Sequence, residues 1–132
     1  EFTTHIDDIF VNTQRADGIV VATPTGSTAY SLSSGGPILH PSLDAVVLVP
    51  ICPHTLSNRP VVVSNESQIN ISLDQGRNVD ARVSFDGQAN IELEAGDRVI
   101  IRHKSHKLQL MHPKDYDYYH ILRNKLGWSV SP

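Results

Sequence analysis

The chain has 132 residues, 39% hydrophobic and 19% charged, enough for one domain with its own core. A formal net charge of −3 gives no overall basic footprint for nucleic acid, and no apolar run reaches membrane-spanning length. Cys52 is the single cysteine, which excludes an internal disulfide and predicts a reducing, cytoplasmic setting.

Taken in order, residues Glu1 to His5 read as the middle of a strand pattern and no initiator Met precedes them, so a piece of a longer protein is expected. Strands are predicted over 8–13 and 18–23, the second rich in β-branched residues. A polar bend and a short helix follow, then a buried-strand run over 45–51. A loop marked by Pro50, Pro53 and Pro60 leads into Val61 to Val63. Alternation then appears at Ile69, Ile71 and Leu73, at Val83 and Phe85, at Ile91 and Leu93, at Val99 and Ile101, and at Leu108 and Leu110. Turn signals such as Asp86-Gly87 and Gly96-Asp97 separate these runs, which predicts a meander of short antiparallel strands. Tyr119, Leu122 and Leu126 fall at helical spacing in a last segment starting near Asp115.

The expected architecture is therefore mainly β: a single domain over 1–132, a two-layer antiparallel β-sandwich-like fold with one short inserted helix and a C-terminal helical tail. Parallel Rossmann winding is disfavoured, because crossover helices of about a dozen residues have no room between Val61 and Leu110.

The bend, ATPTGSTAYSLSSGGP over 22–37, concentrates small and hydroxylated residues. Pro24 stops ladder pairing, Gly26 supplies conformational freedom, Ser27 is placed as the N-cap of a helix of about two turns, and Gly35, Gly36 and Pro37 end it. The first N–H groups of such a helix favour an anion or polar ligand by roughly 0.3–1 kcal/mol. By spacing alone, however, a junction that binds only its own backbone is the commoner meaning. The stretch is neither a Walker A loop, nor Gly-x-Gly-x-x-Gly, nor Gly-x-Ser-x-Gly, and nothing marks Ser27 as an activated nucleophile.

Asp17-Gly18 followed by ATPTGSTAYSLSSGGPILHPSLDA closely resembles the C-terminal domain of NAD kinases, which phosphorylate the adenosine ribose of NAD to give NADP. LVPICPHTLSNRP at 48–60 resembles the family's next strand and loop, SFDGQ at 84–88 a later site segment, and HPKDYDYYHILRNKLGW at 112–128 the bacterial tail. The family's Gly-Gly-Asp-Gly-Thr catalytic loop and its Asn-Glu or Asn-Asp adenosine contact do not occur in this sequence, so the resemblance implies that they belong to an absent N-terminal domain. No catalytic residue is assigned within this chain.

The resemblance implies binding roles residue by residue. Thr28, Ala29 and Ser33 match positions that contact the adenosine half of the dinucleotide, and Tyr30 matches the aromatic beside it. Asp17 matches a carboxylate that accepts from the nicotinamide amide, although a turn residue before Gly18 explains it as well without the resemblance. Cys52 falls where the family lines the nicotinamide pocket; the alternative is a buried, inert thiol. Asp86 lies on the later site segment, where an Asp-Gly hairpin turn serves almost equally. Arg15 is a candidate for phosphate, against the commoner exposed strand-end arginine.

His103 and His106 sit among Lys104 and Lys107, which opposes a cation site and favours a polar turn. The tyrosines Tyr116, Tyr118 and Tyr119 are expected to pack. The resemblance further implies NAD as acceptor, ATP or polyphosphate as donor, Mg2+ or another divalent cation with ATP, and a homo-oligomer of two or four copies in which Asp17 and Tyr30 serve across subunits. Neither nucleic acid nor a membrane is expected as a partner. A nucleotide-binding β domain without catalysis, or a related lipid kinase, would share the visible features.

Overall fold

The computed structural model describes residues 1–75 and 80–128. The chain starts with a hairpin, β1 (Phe2–Ile6) and β2 (Ile9–Gln14), closed by Asp7 and Asp8, both at positive φ (51° and 62°). Asp is one of the few non-glycine residues that tolerate that region. Strand β3 (Gly18–Ala22) stops just before Thr23-Pro24, as expected from a proline that cannot donate to a ladder. A single 3₁₀ turn (Gly26–Thr28) and a four-residue helix α1 (Tyr30–Ser33) follow. Then come β4 (Ala45–Ile51), β5 (Val61–Ser64), β6 (Ile69–Leu73), β7 (Ala81–Phe85), β8 (Ala89–Leu93), β9 (Arg98–Ile101) and helix α2 (Tyr118–Leu126).

Every ladder between these strands is antiparallel. One sheet has the order β2-β1-β6-β9, a second the order β3-β4-β5, and β7 and β8 form a separate ladder. Strand β4 lies in the middle of the three-stranded sheet and is buried on both faces, which is why AVVLVPI reads as a continuous apolar run. Leu48 packs with Phe2, Ile69 and Ile71 of the larger sheet, whereas Val47 and Val49 pack on the other face with Ala22 and Leu39. The two sheets thus share one core, and the bend after β3 covers the outer face of the smaller sheet.

The expected continuous meander is corrected. The far neighbour of β6 is β9, with Ile69 opposite Ile101 and Ser72 opposite Arg98, and the β7–β8 hairpin is inserted between them in sequence. Alternation marks strands without naming partners. Burial decides the pairing here, since Val99 and Ile101 pack against the core while Phe85 and Ile91 stay exposed. The segment with Leu108 and Leu110 forms no strand, and both side chains are exposed.

The bend is also corrected in detail. In place of a two-turn helix capped by Ser27 there are two short pieces broken at Ala29 (φ −104°, ψ −128°), and Thr25 stands before the first without a side-chain cap. Ser27 lies inside the 3₁₀ turn, where its hydroxyl is drawn to backbone groups instead. Four helical residues align too few peptide dipoles for the expected helix-end preference for anions. Gly26 is not at positive φ; the left-handed residue is Gly35, at φ 86°.

Candidate functional site

The hydroxylated stretch divides into two faces. Ser27 is wholly buried: its Oγ accepts the Leu39 N–H at 3.0 Å and donates to the Pro24 carbonyl at 2.6 Å. Ser31 is buried as well, and Gly36 approaches it so closely that a Cβ there would lie 2.6 Å from Ser31 Oγ and 2.7 Å from Val49 Cγ2. The Gly36 N–H bonds the Ser31 carbonyl at 2.9 Å, so α1 is tied to the loop that follows it. These residues hold the bend to the smaller sheet. Ala29, Tyr30 and Ser33 are exposed on the other side, Tyr30 to 61%, and Thr28 is half-buried beside them. Four of the sequence-predicted residues therefore form one outward patch on a fixed base.

Asp17 and Cys52 come together at the opposite end of β3. The Asp17 N–H donates to the Ile51 carbonyl at 3.0 Å, Gly18 pairs with Ile51 in the ladder, and Cys52 follows directly at φ 45°. Both residues are exposed, which removes the buried-thiol alternative for Cys52. The five residues of β3 put this pair roughly 16 Å along the strand from the bend.

Asp86 is apart from both groups. It sits at the tip of the β7–β8 hairpin at φ 49°, followed by Gly87 at φ 69°, and the Gln88 N–H closes the turn on the Phe85 carbonyl at 2.9 Å. This is the Asp-Gly turn that the sequence offered as an alternative. Among the described residues Asp86 makes no hydrogen bond to the bend or to the Asp17 end.

Arg15 is engaged by Glu1, Nε to Oε2 at 2.6 Å. That guanidinium lowers the Glu1 carboxyl below its usual range through a side-chain hydrogen bond and its charge. His103 lies 3.7 Å from Glu66 Oε2, and Lys107 pairs with Asp44 at 2.7 Å. Among the described residues no three His, Cys, Asp or Glu side chains converge to hold a metal ion. No helix among them is long and apolar enough to cross a membrane.

Helix α2 docks against the bend region through Thr28 and His40; the sequence predicts a C-terminal helix or docking tail, but not which part of the fold it meets. Asp117 caps it, accepting the Tyr119 and His120 N–H groups at 2.9 and 3.1 Å, and these bonds, led by that from His120, hold the carboxyl below its usual range. Tyr118 packs edge-on to His40 at 4.9 Å, and burial pushes its hydroxyl upward. Leu122 is buried, and Lys125 reaches Thr28. The only sequence signal for this docking was the helical spacing of the tail.

The model of the ATP-NAD kinase C-terminal domain matches residues 1–113. The NAD kinase of Nitrosospira multiformis is 54% identical over 132 residues, covering 100% of this chain and 44% of that protein. That of Cellvibrio japonicus is 54% identical over 128 residues, covering 97% and 43%. Among solved structures, yeast NADH kinase complexed with NADH superimposes with a TM-score of 0.86 at 31% identity, over 99% of this chain and 41% of that one. An NAD kinase from Archaeoglobus fulgidus in complex with ATP gives 0.69 at 34% identity, over 78% and 39%. The chain thus spans less than half the length of these curated relatives. With the family model matched over residues 1–113 and NAD kinases 54% identical along the chain, the chain belongs to the ATP-NAD kinase C-terminal domain family.

Proposed function

We propose that this chain is the dinucleotide-binding domain of an NAD kinase, one domain over 1–132 preceded in the whole protein by a domain that carries the catalytic loop. The observation that carries this is the division of the bend: Ser27 and Ser31 are buried as its base, and Ala29, Tyr30 and Ser33 are exposed with Thr28 at their side. A preorganised patch of this kind binds without first ordering itself. Thr28, Ala29 and Ser33 take the adenosine half, with Tyr30 against the nucleotide. Asp17 accepts from the nicotinamide amide, whose NH2 offers donors. Cys52 lines the nicotinamide pocket beside it, and Asp86 adds a contact from the hairpin tip.

In the reaction the ribose 2'-hydroxyl oxygen forms a bond to the terminal phosphorus of ATP or polyphosphate, the bridging P–O bond breaks, and the shortened donor leaves. The hydroxyl proton passes to a carboxylate of the preceding domain. A divalent cation accompanies the donor, and the described residues of this chain supply no ligand set for it. The chain's own task is to hold the acceptor in line, an effect worth up to about 7–11 kcal/mol in favourable systems. The family resemblance motivates a homo-oligomer of two or four copies in which this domain, through Asp17 and Tyr30, completes the dinucleotide pocket of a neighbouring subunit. The setting is cytoplasmic, with neither nucleic acid nor membrane as partner.

The test is to incubate the full-length protein and the 132-residue chain with NAD, ATP or polyphosphate, and Mg2+, and to detect NADP with an NADP-specific dehydrogenase. The full-length protein is expected to make NADP and the chain alone is not. NADP from the isolated chain would overturn the division of labour. NAD binding without turnover by the full-length protein would assign a binding module instead, and phosphorylation of diacylglycerol a lipid kinase.

A further inference from the structure

Lys125, in the last turn of α2, donates from Nζ to the Thr28 carbonyl at 3.0 Å and to Thr28 Oγ1 at 3.3 Å, across 97 positions of sequence. Tyr118, Leu122 and Lys125 fall at i, i+4 and i+7, one face of the helix. Tyr118 meets His40, Leu122 is buried, and Lys125 ends the stripe on the bend. Among the described residues no carboxylate pairs with Lys125, so its charge is directed at Thr28 alone.

The chemistry at Thr28 follows from its hydroxyl having one proton and two lone pairs. Lys125 takes one lone pair. The proton is directed to the Thr25 carbonyl at 3.4 Å, a long contact that a better-placed acceptor would replace. A charged donor on the oxygen polarises the O–H bond and strengthens its donation. We infer that Lys125 is a positioning residue for the bound dinucleotide: it fixes the Thr28 carbonyl and commits the Thr28 hydroxyl to donate toward an acceptor atom of the ligand. The inference rests on the NAD-binding reading of the bend.

The experiment uses the full-length protein carrying Lys125→Met, Lys125→Arg, Thr28→Val, or Lys125→Met with Thr28→Val. NAD binding is read by calorimetry and KM by kinetics with ATP as donor. Lys125→Met is expected to weaken NAD binding about threefold to tenfold, with the KM for ATP changed less than about twofold. Lys125→Arg should recover most of that loss, since it retains the charge and the reach. The double variant should bind NAD no more weakly than Thr28→Val alone, because the two residues act as one unit. A Lys125→Met protein that melts at the wild-type temperature and binds NAD normally would overturn the inference. So would equal loss for NAD and ATP, or additive effects of Lys125→Met and Thr28→Val. A wild type that neither binds nor phosphorylates NAD overturns the function and this inference together, whereas an active wild type with unaffected variants overturns this inference only.

Discussion

The Ser27 hydroxyl accepts the Leu39 N–H at 3.0 Å across twelve positions of sequence, and both residues are buried. Ser27→Ala leaves that amide without its partner and also removes the bond to the Pro24 carbonyl. An orphaned buried donor costs about 1–3 kcal/mol. The variant chain should therefore unfold at a lower urea midpoint with an unchanged slope, and an unshifted midpoint would show that Ser27 is not an anchor of the bend.

Gly36 and Gly26 should respond oppositely to alanine. At Gly36 the new Cβ would lie 2.7 Å from Val49 Cγ2 and 2.8 Å from the Ser31 carbonyl, so α1 must lift from β4, at a cost of about 1–3 kcal/mol. At Gly26 the nearest atoms are 3.5 and 3.7 Å away, ordinary contact. Thermal unfolding should show Gly36→Ala melting well below wild type and Gly26→Ala within a degree or two of it. Equal melting temperatures would contradict the close approach at Gly36.

Asp17 is exposed, and among the described residues its carboxylate has no hydrogen-bond partner, so Asp17→Asn should leave folding unchanged. In the full-length protein it should raise the KM for NAD about tenfold and the KM for ATP less than twofold, because only the amide contact is lost. Equal effects on both substrates would remove Asp17 from the nicotinamide end. If the pocket is shared between copies, mixing the inactive catalytic-loop variant with an Asp17 variant that is itself inactive, such as Asp17→Arg, should restore part of the activity on subunit exchange. Mixed oligomers that form yet stay inactive would place the site within one subunit.

The docking of α2 should fail on acidification. The Asp117 carboxyl is held low in the folded chain, chiefly by the His120 N–H and then by that of Tyr119. Its contribution is complete above the unfolded carboxylate value near 3.9 and disappears as pH falls through the lower folded value. Leu122 is the buried residue of α2, and the proton shifts of its methyl groups report the docking by NMR. Wild type is expected to hold its signal down to about pH 4 and lose it below, whereas Asp117→Ala should show a loosened helix already at pH 7. A pH-independent signal in wild type would show that the cap does not control docking.

The sequence alone determined the mainly β class, the position of nearly every strand, and the bend as the place to look for a ligand. These are local matters: a continuous apolar run at 45–51 suits only a strand buried on both faces, and Thr23-Pro24 ends a strand wherever it stands. Only the tertiary structure decided the partners. Which strand lies beside β6 depends on which apolar face finds the core, and Val99 with Ile101 do so while Phe85 and Ile91 do not. The same holds for the hydroxyls. Ser27, Thr28, Ser31 and Ser33 are alike in sequence, but Leu39, Gly36 and Val49 approach from one side, burying Ser27 and Ser31 and leaving Ser33 exposed with Thr28 at its edge. Lys125 had no local signal at all, since its meeting with Thr28 arises only when the tail folds back across 97 positions onto the bend.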